Sequence, residues 1–173
     1  MISITESDSK ALNLLIRNPK EHFSIRQIAL KIGITPAGAH RLLKNLEKAN
    51  ILKSQKFGSG VFYTIDLYNH IARNLAAFIL SQSYESYPKE FDELRDYSSA
   101  LLQKANKYFL IVEQEDKNEA EVIAGKLSEN ISVITRNEFI EGIKRADKEI
   151  LELINTSSVI FGENKIVEMI KDA

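Results

Sequence analysis

Apolar residues recur every three or four positions through the first fifty residues, which is the spacing of amphipathic helices. The pattern predicts three short helices in succession. Their predicted buried positions are Ala11, Leu12, Leu15 and Ile16, then Ile25, Ile28, Ala29 and Ile32, then Ala39, Leu42, Leu43, Leu46 and Ala49. Two short strands, residues 51–55 and 61–65, follow with a glycine-containing turn over residues 56–60, so a β-hairpin is expected after the third helix.

Polar residues and proline mark the ends of the first two helices. We expect Ser7 or Ser9 to cap the first helix, and Pro19 to end it, because the residue before a proline is pushed out of the helical region. Ser24 is followed by Gln27 three residues later, which is the spacing of a capping box. Ser24 should therefore begin the second helix.

The third helix has the clearest start. Gly33 turns the chain, and Thr35-Pro36 combines a favourable N-cap with a proline at the first helical position. The face opposite the apolar stripe carries Ala37, Gly38, His40, Arg41, Lys44, Asn45 and Lys48. Small residues let a helix approach the floor of a DNA groove, and Arg41 and Lys44 can then reach phosphates or guanine edges.

Two closely spaced helices followed by a basic hairpin can place one helix in a DNA groove and a β-ribbon beside it. The segment ITPAGAHRLLKNLEKANILKSQKFGSGVFYTI resembles the winged-helix DNA-binding domains of bacterial and archaeal repressors, and the resemblance covers residues 8–66. It implies that the third helix is the recognition helix and that double-stranded DNA is the partner. The expected DNA-contacting residues are Thr35, Ala37, Gly38, His40, Arg41, Lys44 and Asn45, with Lys53, Lys56 and Ser59 on the hairpin.

A further helix is predicted over residues 68–81. Its apolar stripe is formed by Ile71, Leu75, Phe78 and Ile79. In winged-helix dimers such a helix commonly pairs with its mate, so we favour a homodimer formed through this stripe. A connector that packs within its own chain is the alternative. The polar segment 81–88, which ends in proline, is the predicted linker.

From residue 89 onward, helical and strand patterns alternate. Apolar runs at 108–112, 131–135 and 159–161 have the length of buried strands, and a preceding helix is assigned Phe91, Leu94, Ala100, Leu101 and Leu102. Helices are expected at 119–127, 137–144, 148–154 and 165–170, and such alternation implies an α/β layer structure with a mixed sheet. The predicted organisation is an α+β winged helix-turn-helix domain at residues 1–66, a connecting or dimerisation helix with linker at 67–88, and a small α/β domain at 89–173.

Residues 91–172 carry a second resemblance. The order of the strand YFLIV, a helix, the strand ISVIT, the helix with Asn137-Glu138-Phe139 and the strand with Val159-Ile160-Phe161-Gly162 is similar to the latter part of polymerase-β-type nucleotidyltransferase domains. That family places Gly-Ser on a turn that grips phosphate. It places Asp-x-Asp at the head of the aliphatic strand, where carboxylates hold two magnesium ions.

The catalytic motifs of that family are replaced in this chain. The Gly-Ser position falls near Ser98-Ser99, and Asp-x-Asp aligns with Asn106-Lys107-Tyr108. An acidic cluster of Glu113, Glu115 and Asp116 follows the strand, and we interpret it as a solvated loop. We therefore expect a degenerate nucleotidyltransferase-like fold that is not an enzyme, with no metal and no cofactor, retained for assembly or for binding a ligand or protein.

The charge is distributed unevenly along the chain, which suggests two domains with different partners. Residues 1–66 contain ten Lys/Arg and five Asp/Glu, whereas residues 67–173 contain thirteen and nineteen. The acidic part would repel a polyanion, so nucleic-acid contacts are expected in the first part. The absence of cysteine excludes a disulfide scaffold and a thiolate metal site. With no signal-peptide or membrane-span pattern, the composition favours a cytoplasmic protein.

Three functional hypotheses follow from these patterns. The leading one is a DNA-binding transcriptional regulator with a catalytically inactive α/β domain. The alternatives are a divergent nucleotidyltransferase guided by its winged helix, and an antitoxin-like module that binds another protein through the acidic part. Loss of Asp-x-Asp argues against the first alternative, and the charge split and the hairpin favour the regulator over the second. The operator, the direction of regulation and any small-molecule effector stay open.

Overall fold

The computed structural model of the chain describes residues 4–58, 60–82 and 88–173. The chain folds as two compact units, Met1–Ile79 and Leu80–Ala173. The boundary falls near the end of a helix that runs from His70 to Ser81, so most of this helix belongs to the first unit. Most of the predicted linker, residues 81–88, lies outside the described residues. The division at 1–66, 67–88 and 89–173 stays a prediction.

The first unit has the order of elements of a winged helix. Its helices are α1 (Glu6–Arg17), α2 (Ile25–Ile32), α3 (Pro36–Lys48) and α4 (His70–Ser81), and its strands are β1 (Phe23–Ser24), β2 (Leu52–Phe57) and β3 (Gly60–Ile65). The strands form an antiparallel sheet in the order β1-β3-β2. The predicted helices and hairpin are confirmed. Strand β1 was missed because two residues are too few to show a strand pattern.

Capping residues decide where these helices start. Thr5 caps α1, not Ser7 or Ser9, because Thr5 and Asp8 bond reciprocally: Asp8 Oδ2 accepts from the Thr5 amide at 2.8 Å, and Thr5 Oγ1 accepts from the Asp8 amide at 3.2 Å. The predicted capping box of Ser24 with Gln27 is present at α2. Helix α2 ends at Ile32, and Gly33 caps it with a φ of 74°, the left-handed conformation that glycine tolerates best.

The buried stripes of α2 and α3 are narrower than predicted. Ile28 and Ala29 are buried in α2, whereas Ile25 and Ile32 are half-buried. Helix α3 buries Ala39, Leu42, Leu43 and Leu46, and Ala49 is half-buried because it lies at the C-cap, beyond the last full turn. The packed face of α3 therefore fixes which residues it presents to solvent.

The hairpin is longer and its turn shorter than predicted. Strand pairing continues to Phe57 opposite Gly60, so only residues 58 and 59 connect β2 to β3. Gly58 has φ 57°, which suits a tight hairpin turn. Lys56 and Phe57, which we had assigned to the turn, are consequently strand residues with fixed directions.

The second unit is a mixed sheet layered with helices. Its strands are β4 (Ala100–Lys104), β5 (Lys107–Val112), β6 (Ile131–Thr135) and β7 (Ser158–Phe161), in the order β6-β5-β4-β7. The β5–β6 pair is parallel, and β4 pairs antiparallel with β5 and β7. A 3₁₀ helix (Lys89–Tyr97) precedes the sheet, and the α-helices are α5 (Lys117–Leu127), α6 (Arg136–Lys144), α7 (Lys148–Thr156) and α8 (Glu163–Asp172).

Buried apolar side chains fill the second unit. Phe91 and Leu94 of the 3₁₀ helix pack with Leu101, Leu110 and other strand residues and with Ala120 of α5. Gly162 connects β7 to α8 with φ 84°, and a Cβ there would lie 2.2 Å from the Ser99 carbonyl oxygen, so only glycine fits.

One predicted element is wrong. The sequence pattern predicts that Ala100, Leu101 and Leu102 lie on a helix. In the structure these residues belong to β4. Strand β4 lies between β5 and β7, and all three residues are buried, so the run shows no strand alternation. The predicted strands 108–112, 131–135 and 159–161 are confirmed within one residue.

Candidate nucleic-acid interface

Helix α3 presents one solvent-facing surface of small, polar and basic side chains. Thr35 caps the helix, with its hydroxyl oxygen accepting from the Gly38 amide at 3.1 Å, and Pro36 follows at the first helical position. Two of the residues predicted on the polar face of α3, Gly38 and Lys44, are partly buried. The others are exposed: Ala37, His40, Arg41, Asn45 and Lys48. Helical periodicity puts all of them on the face opposite the buried leucines. The structure therefore brings the predicted α3 residues together.

Lys44 is already engaged within the protein. Its Nζ lies 2.7 Å from Oε2 of Glu47, one turn further along α3. The other carboxylate oxygen of Glu47 accepts the hydroxyl of Ser54 in β2. A hydrogen bond from Lys44, and then one from Ser54, lowers the pKa of Glu47. The bond to Glu47 is also the largest cause that raises the pKa of Lys44. Lys44 is one of the predicted DNA contacts, and the sequence did not show its bond to Glu47 or the bond from Ser54 to Glu47.

The two wing lysines point to opposite faces of the hairpin. Both are among the DNA contacts predicted on the hairpin. Ser54 bonds to α3, and because side chains alternate along a strand, Lys56 shares this face while Lys53 lies on the other. Lys53 Nζ lies 5.6 Å from the ring centroid of Tyr68. The third predicted wing residue, Ser59, lies outside the described residues.

An aromatic cluster covers the outer face of the wing and was not predicted. The ring centroids of Phe57 and His22 are 5.8 Å apart, as are those of Phe57 and Phe62. Phe57 stands opposite Gly60 in the hairpin, and a Cβ on Gly60 would lie 2.9 Å from the Phe62 ring. Glycine thus leaves room for the ring, an arrangement that stabilises the end of the hairpin. The sequence does not show this aromatic cluster, because the cluster depends on which residues of β2 and β3 stand opposite each other.

Helix α4 exposes most of its predicted apolar stripe. Ile71 is 42% exposed and Phe78 is 57% exposed, and Leu75 is half-buried between them. Ile79, which we had placed in the same stripe, is only 3% exposed and packs within the fold. It lies about 100° around the helix from Phe78, on the side of the buried alanines. The exposed stripe therefore consists of Ile71, Leu75 and Phe78.

The nucleotidyltransferase motif positions do not form one site. Ser99 lies beside the end of β5, where its amide donates to the Ile111 carbonyl at 2.7 Å. Asn106 lies in the β4–β5 turn at the opposite end of the hairpin, adjoining β5 at Lys107. The Ser99 hydroxyl instead donates to Oε1 of Glu113 at 3.2 Å. Among the described residues, no group of three or more His, Cys, Asp or Glu side chains is placed to hold a metal ion.

A cleft of about 650 Å³ lies beside α6 and the start of α7 and is lined partly by carboxylates. Two of these carboxylates, Glu138 and Asp147, are already bonded within the protein. Glu138 accepts from the Thr135 amide at 2.8 Å and from Lys117 at 3.1 Å, and these bonds, that of the Thr135 backbone first, lower its pKa. Asp147 caps α7 by accepting from the Glu149 amide at 2.9 Å. Glu138 and Asp147 therefore serve helix capping and ion pairing.

The match to a protein family supports the interpretation of the first unit. Residues 4–53 match the family of winged helix-turn-helix DNA-binding domains. A solved structure of a ZitR mutant from Lactococcus lactis is similar at 23% identity, covering 41% of this chain and 47% of that chain, with a TM-score of 0.34. The chain thus spans about half the length of that protein. No curated protein sequence matches. Within the described residues, no helix has both the length and the apolar character needed to cross a membrane.

Proposed function

We propose that this protein is a DNA-binding transcriptional regulator whose first unit binds duplex DNA with α3 as the recognition helix. The observation that carries the proposal is the winged helix-turn-helix itself, with the polar and basic face of α3 turned to solvent. The excess of five positive charges in residues 1–66 supports a polyanionic partner.

The exposed α3 residues suit the roles of groove recognition. Ala37 and Gly38, at the start of the helix, allow close approach, and the Ala37 methyl can contact a thymine methyl. Arg41 makes no ion pair with any described residue, so its guanidinium is available for a phosphate or for a guanine edge. Asn45 can pair with adenine, and Thr35 and His40 can hydrogen-bond the backbone.

The wing contributes phosphate contacts on both of its faces. A β-ribbon that lies along a groove has a phosphate strand on either side, so Lys53 and Lys56 can each neutralise one. Together with Arg41, this gives three basic contacts for each protomer.

The first prediction is a salt-dependent affinity. The full chain should bind a duplex of mixed sequence with log K falling linearly against log salt concentration, at a slope of about −2.7 for each bound protomer, since each neutralised phosphate contributes about −0.9. Fluorescence anisotropy with a labelled duplex, at several potassium chloride concentrations, measures the slope. Binding that does not respond to salt, or no binding to any duplex, contradicts the proposed function.

We further propose that the protein is a homodimer formed through the α4 stripe of Ile71, Leu75 and Phe78. Support comes from the exposure of two large apolar side chains, Ile71 and Phe78, about two helical turns apart on α4. A two-fold dimer would present two recognition helices to a palindromic site.

The second unit is proposed to serve assembly or the binding of a ligand or protein, in a degenerate nucleotidyltransferase-like fold. The mixed sheet and the order of helices support the resemblance. Against catalysis, Asn106 and Tyr108 stand at the expected carboxylate positions, and neither side chain can hold a strongly hydrated dication. Ser98 and Ser99 lie at the other end of the β4–β5 hairpin, too far to grip a phosphate bound there.

The second prediction is the absence of nucleotidyl transfer. The full chain is incubated with labelled ATP, CTP, GTP and UTP, magnesium or manganese, and DNA, RNA and lysate proteins as acceptors. We expect no label to be transferred, because no carboxylate stands at positions 106 and 108 to hold the two magnesium ions that stabilise the attacking and leaving oxygens. Transfer that persists through purification controls and disappears on replacing Glu113, Glu115 or Asp116 by alanine would establish an enzyme with a different active site.

A further inference from the structure

Glu47 connects the recognition helix to the wing through its side chain. One carboxylate oxygen accepts from Lys44 Nζ at 2.7 Å, and the other accepts from the hydroxyl of Ser54. Ser54 lies opposite the fully buried Tyr63 in the hairpin, so the strand that Glu47 holds is itself anchored in the core. The side chains of Lys44 and Glu47 are 44% and 26% exposed, at the surface that would face DNA.

The pairing changes what Lys44 can do. The hydrogen bond between the two groups raises the pKa of Lys44 and lowers the pKa of Glu47, so the pairing favours the charged form of both. The charge of Lys44 is therefore balanced by a carboxylate in direct contact. An unrestrained lysine on a recognition helix would bind a phosphate of any sequence, because the phosphate backbone carries no sequence information directly.

We propose that Glu47 is a specificity-determining positioning residue: it withholds Lys44 from non-specific phosphate contact and fixes β2 against α3 through Ser54. This inference rests on the proposed function, duplex DNA binding by the first unit. Specificity often depends on an element that penalises wrong partners, and a carboxylate on the DNA-facing surface is such an element. Removal of the Glu47 charge should therefore strengthen binding to random DNA and weaken the discrimination between specific and random sequences.

The test uses the full chain and the variant Glu47→Gln, which keeps the size of the side chain and an oxygen that can accept from Ser54. Affinity is measured for a random duplex and for a duplex obtained by in vitro selection with the wild type. We expect the salt slope on random DNA to steepen by about 0.9 for each protomer, and the affinity at 0.1 M salt to rise by about eightfold, as for one added phosphate contact. The ratio of selected to random affinity should fall.

A second substitution assigns the gain to Lys44. In the Glu47→Gln background, Lys44→Met should abolish the gain and return the affinity for the random duplex to within about twofold of the wild-type value, because the two substitutions together remove one charge of each sign. The matched control is Glu6→Gln on α1, because Glu6 also pairs with a lysine, Lys10 at 2.6 Å, and carries the same charge. This control should leave the slope unchanged.

Three results overturn the inference. They are a Glu47→Gln variant that binds random DNA as the wild type does, a Lys44→Met substitution that leaves the gain intact in the Glu47→Gln background, and a Glu6→Gln variant that reproduces the gain. If any of these is observed while the wild type binds duplex DNA in a salt-dependent way, Glu47 does not restrain Lys44. A wild type that shows no such binding contradicts the proposed function itself, which is a separate outcome and removes the basis of the inference.

Discussion

Arg41→Glu is expected to lower the affinity of the full chain for duplex DNA by about a hundredfold at 0.1 M salt. Loss of one phosphate contact accounts for about eightfold, and the introduced carboxylate adds like-charge repulsion of similar size. Arg41 is exposed on α3 and makes no ion pair with any described residue, so the substitution removes no contact that the fold needs. Anisotropy with the random and selected duplexes measures both affinities, and thermal unfolding checks that the fold is intact.

The matched control is Arg145→Glu in the second unit. Arg145 has a side chain that is 80% exposed, at 3.9 Å from Glu141, and the substitution changes the net charge of the chain by the same amount. We expect less than about a twofold effect on DNA affinity, because Arg145 belongs to the second unit and is not one of the proposed α3 and wing contacts. Equal losses for the two variants would show that overall charge, and not the α3 face, controls binding.

Local sequence signals were sufficient for most of the first unit. Ser24 with Gln27 and Thr35 with Pro36 fixed the starts of α2 and α3, because capping depends on residues within one turn. The apolar spacing identified Leu42, Leu43 and Leu46 as the packed side, and the polar side followed from it. The face of α3 could thus be predicted before any tertiary contact was known.

Local sequence signals predicted the wing only in part. The hairpin itself was predictable, but pairing through Phe57 depends on cross-strand register, which the sequence does not display. Once that register is known, the three-residue separation of Lys53 and Lys56 puts them on opposite faces. The bond from Ser54 to Glu47 joins residues of different elements, so only the folded chain could reveal that Lys44 is held.

The second unit was harder to predict because burial removes periodicity. Ala100, Leu101 and Leu102 are all buried between two neighbouring strands, and a continuous apolar run does not distinguish a strand from a helix. Ile79 of α4 illustrates the related case of a helix with more than one apolar side. Four of its neighbours, Ala72, Ala76, Ala77 and Leu80, are buried as well. Small alanines gave too weak a pattern to show which side faces the core.

The remaining prediction concerns the oligomer. Replacing Ile71 and Phe78 together by glutamate should convert the proposed dimer to a monomer, because two charges for each protomer would be buried at the α4 seam without partners. These positions are 42% and 57% exposed, so the change should leave the fold of each protomer intact. Light scattering at micromolar concentration measures the mass, and circular dichroism measures helix content. The His70→Glu control lies about 80° around the helix from Phe78 and is also exposed.

The dimer prediction extends to DNA binding. Two linked recognition helices bind adjacent half-sites with an effective concentration that can raise affinity by about a hundredfold or more over one helix. The Ile71→Glu/Phe78→Glu variant should therefore lose this factor on a selected palindromic duplex and keep the affinity of the wild type for a single half-site. A wild type that is monomeric at micromolar concentration contradicts the α4 dimer. A double variant that stays dimeric and keeps its affinity for the palindrome would place the interface on another surface.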